Sequence, residues 1–194
     1  MAAGGALALG LTSCGNSRVA PPDLSQPAFP SGTHTLRYSG SGSLLGATRS
    51  WSLSLSAPGN WAVITKQPPL MSVITSGTAV VAVWRYRRLA PVPAGAQAFA
   101  RARRELIAAA RARDPRLMVI RSRVLRVGSA PAVELDALER IDGQLRRARS
   151  THVFVPGDEL VLDQYAPPSL FHVVDHAVFS PMKRSLRLAL AAGR

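Results

Sequence analysis

Apolar and polar positions alternate along most of the chain, which is the pattern of strands that have one buried face. The segment "WSLSLS" (51–56) shows it most clearly, because every second residue is large and apolar. Two dipeptides, Asp142-Gly143 and Pro156-Gly157, suit the central positions of tight turns between such strands. The pattern predicts strands at 34–38, 50–56, 61–65, 71–75, 79–87, 117–127, 132–141, 144–155 and 159–165.

The segment 94–113 has a different spacing, with apolar residues every three or four positions. This spacing indicates an amphipathic helix, and Asp114-Pro115 is expected to end it. Its predicted buried face consists of Phe99, Ala102, Leu106 and Ala110.

A second helix is predicted near the C-terminus. Pro167-Pro168-Ser169 is a typical helix start, and the helical spacing continues to about residue 179. Pro181 is expected to end the helix, because proline cannot donate the next backbone hydrogen bond. The predicted inward face consists of Leu170, Val173, Val174, Ala177 and Val178.

Together these elements predict an α+β fold: an antiparallel β-meander with one inserted helix and one C-terminal helix, arranged in layers. Residues 34–194 are predicted to form this single domain, which is long enough to bury a core. Residues 14–33 are rich in Pro, Ser and Gly and are predicted to be a tether, and residues 1–13 a signal peptide.

The order of elements resembles the PsbP-like fold, found in the extrinsic P protein of photosystem II and in many bacterial lipoproteins. The resemblance rests on "SLSLSAPGNW" (52–61), similar to that fold's strand-Pro-x-x-Trp opening, and on 151–186, similar to its closing hairpin, helix and terminal segment. It covers most of residues 50–188 and consists of packing and turn patterns. The resemblance therefore implies a PsbP-like layered domain with a binding or accessory role, and it supplies no active site.

The first seventeen residues are uncharged, and the chain's one cysteine, Cys14, lies among them. A short apolar run (6–11) followed by small residues is typical of a secretory signal and is too short to span a membrane. Leu11-Thr12-Ser13-Cys14 resembles the lipobox of bacterial lipoproteins. The resemblance implies a lipidated Cys14 and a location on the outer face of the plasma membrane. Since the first charge is Arg18, a translation start upstream of Met1 is also expected.

The net charge is +13, and 22 of the 24 basic residues are arginines. Such a surface attracts anionic partners. The chain has no nucleic-acid-binding signature, and an extracytoplasmic location argues further against nucleic acid. We therefore predict contact with anionic lipids or phosphate-bearing wall polymers, beside a protein partner that the sequence does not identify. The predicted contact residues are Arg85, Arg87, Arg88, Arg101, Arg104 and Arg111.

Two alternative chemistries stay open. In the register that the turns set, Ser150, His152 and Asp163 lie near one another, as in a surface hydrolase, although Ser150 has no nucleophile-elbow sequence around it. His172 and His176 are four residues apart on the outer face of a helix and could bind zinc or copper, but no third ligand is evident. The favoured interpretation is a non-catalytic domain without a cofactor.

Overall fold

Ten strands and four helical segments follow one another in the computed structural model, which describes residues 19–25, 33–44 and 47–192. The strands are β1 (Thr33–Leu44), β2 (Ala47–Pro58), β3 (Ala62–Thr65), β4 (Leu70–Ser76), β5 (Ala79–Arg87), β6 (Met118–Val127), β7 (Ala130–Ile141), β8 (Gln144–Val155), β9 (Asp158–Ala166) and β10 (Arg187–Ala192). The helical segments are α1 (Gly95–Arg113), α2 (Pro168–Val174), a π-helical turn (Asp175–Phe179) and α3 (Ser180–Ser185).

The strands form two antiparallel sheets. One has seven strands in the order β3-β4-β5-β9-β8-β7-β6, and the other has three in the order β1-β2-β10. The predicted α+β fold, with one inserted and one C-terminal helical region, is confirmed. Two long-range pairings complete it, because β5 pairs with β9 and the C-terminal β10 pairs with β2.

Both predicted turn centres are present and fix the register of the seven-stranded sheet. Asp142 and Gly143 have φ angles of 50° and 75°, which an Asp-Gly hairpin turn requires. Gly157, with a φ of 76°, follows Pro156 as in a type II turn. Neighbouring strands therefore meet with Val155 opposite Asp158, and their side chains alternate between the two faces of the sheet.

One face of the seven-stranded sheet, called the covered face below, packs against the three-stranded sheet and the C-terminal helices. Trp61 and Phe179 meet edge to face with ring centroids 6.3 Å apart, and Phe171 packs on Phe179. Leu55 of β2 and Val81 of β5 belong to the same buried cluster. This cluster is the main hydrophobic core.

The opposite face, called the open face below, is only partly covered, by α1. Ala102 packs on Val133 and Phe154, and Ala110 packs on Leu135. The predicted buried side of α1 is therefore confirmed, and α1 contacts β6 and β7. The part of the open face over β5 and β9 is left without a covering helix among the described residues.

The C-terminal helix differs from its prediction in two ways. It does not end at Pro181, because the π-helical turn before Pro181 shifts the backbone pairing: the N–H of Ser180 bonds to the carbonyl of Asp175, five residues back. The wider turn admits the proline ring, and the helix continues to Ser185. Val173, predicted to face inward, is 47% exposed, since Phe171 and Val174 take the buried positions.

Buried charges on the covered face are paired between the sheet and the C-terminal helices. Arg149 Nη1 lies 2.5 Å from Asp175 Oδ1, and Lys183 Nζ lies 2.7 Å from Glu134 Oε2. The pKa of the Glu134 carboxyl is lowered, because contacts with Lys183 and neighbouring arginines outweigh the opposing effect of burial. These ion pairs attach the helix to β7 and β8.

Residues 19–25 lie against the domain beside β3 and β4. The backbone N–H of Asp23 donates to Ser76 Oγ at 2.8 Å, and its carbonyl accepts from Trp61 Nε1 at 3.0 Å. Leu24 packs on the main core. This portion of the predicted tether therefore contacts the domain, and the division of the chain into signal, tether and domain stays a prediction.

Candidate functional site

The uncovered part of the open face contains a cleft with a volume of about 400 Å³. Its floor comes from four adjacent strands, β5, β9, β8 and β7, and one side comes from the C-terminal end of α1. Alternation along β5 brings Trp84 and Tyr86 to this face, and alternation along β9 brings Asp163 and Tyr165. This cleft is the candidate functional site.

Small side chains give the cleft its depth around Asp163. In the sheet register, Asp163 lies directly opposite Ala82 on one side and Ser150 on the other. Ala148 lies beside Ser150 on the same face of β8 and also lines the cleft. The carboxyl group of Asp163 therefore stands in a depression between larger aromatic residues.

Burial raises the pKa of the Asp163 carboxyl. The Ser150 hydroxyl, the charges of His152 and Arg113, and the indole N–H of Trp84 act in the opposite direction, but burial outweighs them. The Trp84 contact is weak: Nε1 is buried and has no hydrogen-bond partner of ordinary geometry among the described residues. Asp163 is therefore a carboxyl that lacks full compensation for its buried charge.

Glu139 is a second carboxyl of this kind. It lines the cleft from β7, and burial raises its pKa, although the positive charge of Arg113 opposes the shift. Arg113 is the last residue of α1 and lines the cleft from the side. The cleft thus combines these two carboxyl groups with Arg113. Asp114 and Arg140 also line it, and the Asp114 carboxylate accepts hydrogen bonds from the backbone N–H groups of Arg116 and Arg140.

His152 is held by a different carboxyl. Its Nδ1 lies 2.7 Å from Glu159 Oε1, and Arg88 contacts the other oxygen of Glu159 at 3.1 Å. The pKa of Glu159 is lowered, because these two partners outweigh the effect of burial. The negative charge of Glu159 is therefore compensated by its own partners.

The three residues of the hydrolase hypothesis all line the cleft. The predicted register of β8 and β9 is confirmed, because Val161 lies opposite His152. Their pairing does not match a catalytic relay. The carboxylate that orients His152 is Glu159, while Asp163 faces Ser150. The structure therefore brings the three residues together without connecting them in the order that a serine nucleophile needs.

Sequence reasoning identified Asp163, Ser150 and His152, but it did not identify the aromatic residues or Glu139 as part of the cleft. Trp84 and Tyr86 come to face Asp163 through the β5-β9 pairing, which joins segments about eighty residues apart. No local pattern marks that pairing. Glu139 could have been found from the Asp142-Gly143 hairpin, because that turn places it on the same face as Ala148.

The six arginines predicted to contact an anionic surface fall into two groups. Arg85 and Arg87 pair with the buried Asp158 at 3.0 and 3.4 Å, and Arg88 pairs with Glu159. The side chains of Arg85 and Arg88 are only about one-fifth exposed. These contacts tie the end of β5 to the start of β9, so most of this group is committed within the fold.

The other three arginines, Arg101, Arg104 and Arg111, are exposed on the outer side of α1. Within the part of the chain that the structure describes, none of them forms an ion pair. They remain available to an external partner.

His172 and His176 are exposed on the C-terminal helix, as predicted. Asp175 between them turns away and binds Arg149 and Ser180. Among residues 19–25, 33–44 and 47–192, no three His, Cys, Asp or Glu side chains form a group that could hold a metal ion.

Cys14 and the lipobox-like motif lie outside the described residues. In the described part of the chain, no helix has both the length and the apolar character needed to cross a membrane.

Comparison with known proteins supports the fold. No protein family matches the sequence, and no curated protein is detectably related to it. The structure is similar to CyanoP, the PsbP protein of Synechocystis sp. PCC 6803, with a TM-score of 0.55, 10% identity, and coverage of 92% of this chain and 99% of CyanoP. It is also similar to LpqN of Mycobacterium tuberculosis, a protein involved in cell envelope biogenesis, with a TM-score of 0.50, 13% identity, and coverage of 80% and 92%. The predicted PsbP-like fold is therefore confirmed.

Proposed function

We propose that the protein is a membrane-anchored lipoprotein on the outer face of the plasma membrane, whose domain binds a ligand in the cleft and catalyses no reaction. The observation that carries the proposal is the separate pairing of His152 with Glu159 and of Ser150 with Asp163. A serine nucleophile needs a histidine that takes its proton while a carboxylate orients that same histidine. Glu159 orients His152, but among the described residues no hydrogen bond joins His152 to Ser150, so the cleft offers recognition groups without the complete relay.

The envelope location is supported by the lipobox-like motif ending at Cys14 and by the likeness of the fold to LpqN, an envelope-biogenesis protein. Two or three acyl chains on one cysteine would hold the domain firmly, since each buried CH₂ contributes about 0.8 kcal/mol. The anchor would keep the domain at high local concentration near its partner.

A fluorophosphonate probe tests the absence of catalysis, because it labels activated serines. The folded wild-type chain is expected to stay unlabelled, like its Ser150→Ala variant. Labelling of the wild type that disappears in Ser150→Ala would contradict the proposal and favour a surface hydrolase that uses Ser150 and His152.

Labelled palmitate tests the anchor. A precursor with a complete signal, expressed in a bacterium, should incorporate label in the wild type and lose it in Cys14→Ser. Equal incorporation by both would overturn the lipidation of Cys14 without affecting the cleft.

The proposed lipid contact is made by Arg101, Arg104 and Arg111. Each basic group near an anionic membrane is worth about 1 kcal/mol, so three could orient an anchored domain. In co-sedimentation with phosphatidylglycerol vesicles at low salt, the unlipidated Cys14→Ser chain should bind, and changing the three residues to Gln should weaken binding.

A matched control changes Arg37, Arg49 and Arg187 to Gln, which removes the same charge from the exposed residues of the three-stranded sheet. Equal weakening by both triple variants would show that net charge alone attracts the membrane. Absence of binding at low salt would exclude the contact.

A further inference from the structure

The cleft contains carboxyl groups that are not paired with a basic side chain of the described residues, so a positively charged ligand would find a partner there. Most buried carboxylates of the described residues have a basic partner, as Asp136 has in Arg147 at 2.9 Å. Asp163 and Glu139 have no ion-pair partner there, although both are partly buried. Arg113 is the nearby cation that acts on both.

Two other arginines line or border the cleft but direct their guanidinium groups elsewhere. Arg140 Nη1 donates to the carbonyl of Gly143 at 3.2 Å, in the turn at the end of the sheet. Arg146 donates to the carbonyl of Thr78 at 3.2 Å and to Gln144 Oε1 at 2.6 Å. Neither therefore compensates the carboxyl groups on the floor.

Aromatic rings stand beside the uncompensated carboxyl groups. Trp84 and Tyr86 have nearly parallel rings, 11° apart in orientation and 6.0 Å between centroids, and Tyr165 lines the cleft from β9. Ring faces attract cations, and the attraction grows when water is excluded. A carboxylate next to tryptophan and tyrosine is the combination that binds organic ammonium groups.

We propose that the cleft binds an organic cation, with its ammonium group against Asp163 and its apolar part against Trp84. The inference rests on the proposed function only in treating the cleft as a binding site. A volume of about 400 Å³ suits a small organic group. A bare metal ion is disfavoured, because two carboxyl groups on different strands provide too few fixed oxygen ligands.

The pH dependence follows from the groups that surround Asp163. A cation prefers the ionised carboxylate, so affinity should rise as pH increases through the raised pKa of Asp163. Burial also raises the pKa of Glu139, so this carboxyl ionises in the same direction and adds to the trend. The other groups that line this part of the cleft are Arg113, Asp114 and His152, beside the uncharged side chains of Ser150, Trp84 and Tyr165.

The test is an NMR titration of the unlipidated Cys14→Ser chain with n-butylammonium and with tetramethylammonium chloride, following the indole N–H signal of Trp84. This signal is assigned by its absence in Trp84→Phe. Butyrate serves as a probe of opposite charge. We expect a saturable shift with either cation, a smaller response to butyrate, and binding that is about tenfold weaker or more in Asp163→Asn.

Glu105→Gln is the matched control, since it removes one exposed carboxylate from α1 outside the cleft and should leave affinity unchanged. Loss of the pH dependence assigned to Asp163 in Asp163→Asn would support the proposal. The proposal is overturned if neither cation shifts the Trp84 signal, if butyrate binds as well as butylammonium, or if Asp163→Asn and wild type bind alike. Because the pH titration of the wild type needs no variant, poor folding of Asp163→Asn would not prevent a decision. None of these outcomes depends on lipidation or on fluorophosphonate labelling, so failure here is distinguishable from failure of the proposed function.

Discussion

Both faces of the seven-stranded sheet carry acidic residues, but these residues have different roles on the two faces. On the covered face, acidic residues such as Glu134 and Asp158 are buried and paired with lysine or arginine. On the open face, Asp163 and Glu139 lack such a pair among the described residues and border a cleft. An available cation, more than burial alone, therefore decides whether a carboxyl group joins parts of the fold or remains free for a ligand.

The pKa shifts express this difference. Partners lower the pKa of Glu134 and Asp175 on the covered face despite their burial. Burial raises the pKa of Asp163 and Glu139 on the open face. Glu159 shows that the cause is the partner and not the face: it lies on the open face, yet its pairing with His152 and Arg88 lowers its pKa.

The largest expected effect is on the covered face, where Phe179 is fully buried between Trp61 and Phe171. Phe179→Ala should lower the free energy of unfolding by about 3–5 kcal/mol, because it leaves a cavity in the main core. Urea denaturation measures the change. Val173→Ala on the same helix is the control and should cost about 0.5 kcal/mol or less, since Val173 is exposed. Similar losses in both variants would contradict the assignment of Phe179 to the main core.

A somewhat smaller loss is expected at Asp158, which is fully buried and accepts from Trp51 Nε1 at 2.8 Å and from Arg85 at 3.0 Å. Asp158→Ala should cost about 3 kcal/mol, because the indole N–H and the guanidinium lose their acceptor. Glu105→Ala removes the same charge from an exposed position and should change the unfolding free energy by less than about 0.5 kcal/mol. If Asp158→Ala were as mild, the buried ion pairs would not be what joins β5 to β9.

Much of the fold could be predicted from local sequence. The hairpin turns at Asp142-Gly143 and Pro156-Gly157 are where the sequence indicated, and so is the buried side of α1. Each of these features depends on residues close together in the chain. The positive φ of a turn residue and the apolar repeat of a helix both follow from neighbouring residues, so they can be predicted without knowing which strands pair.

The cleft could not be predicted in the same way, because it depends on long-range pairing. Trp84 meets Asp163 only because β5 lies beside β9, and that register is set by the whole sheet. For the same reason Arg85 looked like an exposed basic residue, although Asp158 and the ring of Trp51 hold it in place. The local rule that proline ends a helix also failed at Pro181, where a π-helical turn provides the space.

A smaller effect, of opposite sign on the two faces, is expected from pH. The native state holds a proton on Asp163 at pH values where the unfolded chain, with a pKa near 3.8, has lost it. Stability therefore falls as pH rises from that value to the raised native pKa. Asp163→Asn removes this penalty, so the variant should gain on the wild type across that window.

Glu134→Gln is the matched variant on the covered face. The lowered pKa of Glu134 adds stability that is present above its ordinary value of 4.5 and is lost as pH falls through the native pKa. The variant should therefore be less stable than the wild type at neutral pH and approach it in acid. Urea denaturation at several pH values measures the stability of both variants relative to the wild type. If both variants were stabilised, or both destabilised, the proposed difference between the two faces would be wrong.

The smallest effect on stability is expected from the outer side of α1. Changing Arg101, Arg104 or Arg111 to Gln should alter the unfolding free energy by less than about 0.5 kcal/mol each, because these side chains are exposed and form no ion pair within the described residues. Arg85→Gln should cost more, since its guanidinium lies 5.2 Å from the centroid of the Trp51 ring and binds the buried Asp158. Urea denaturation of the four single variants gives the ranking. A loss on α1 as large as that at Arg85 would mean that the helix arginines stabilise the fold, and their proposed role at an anionic membrane would then need a different basis.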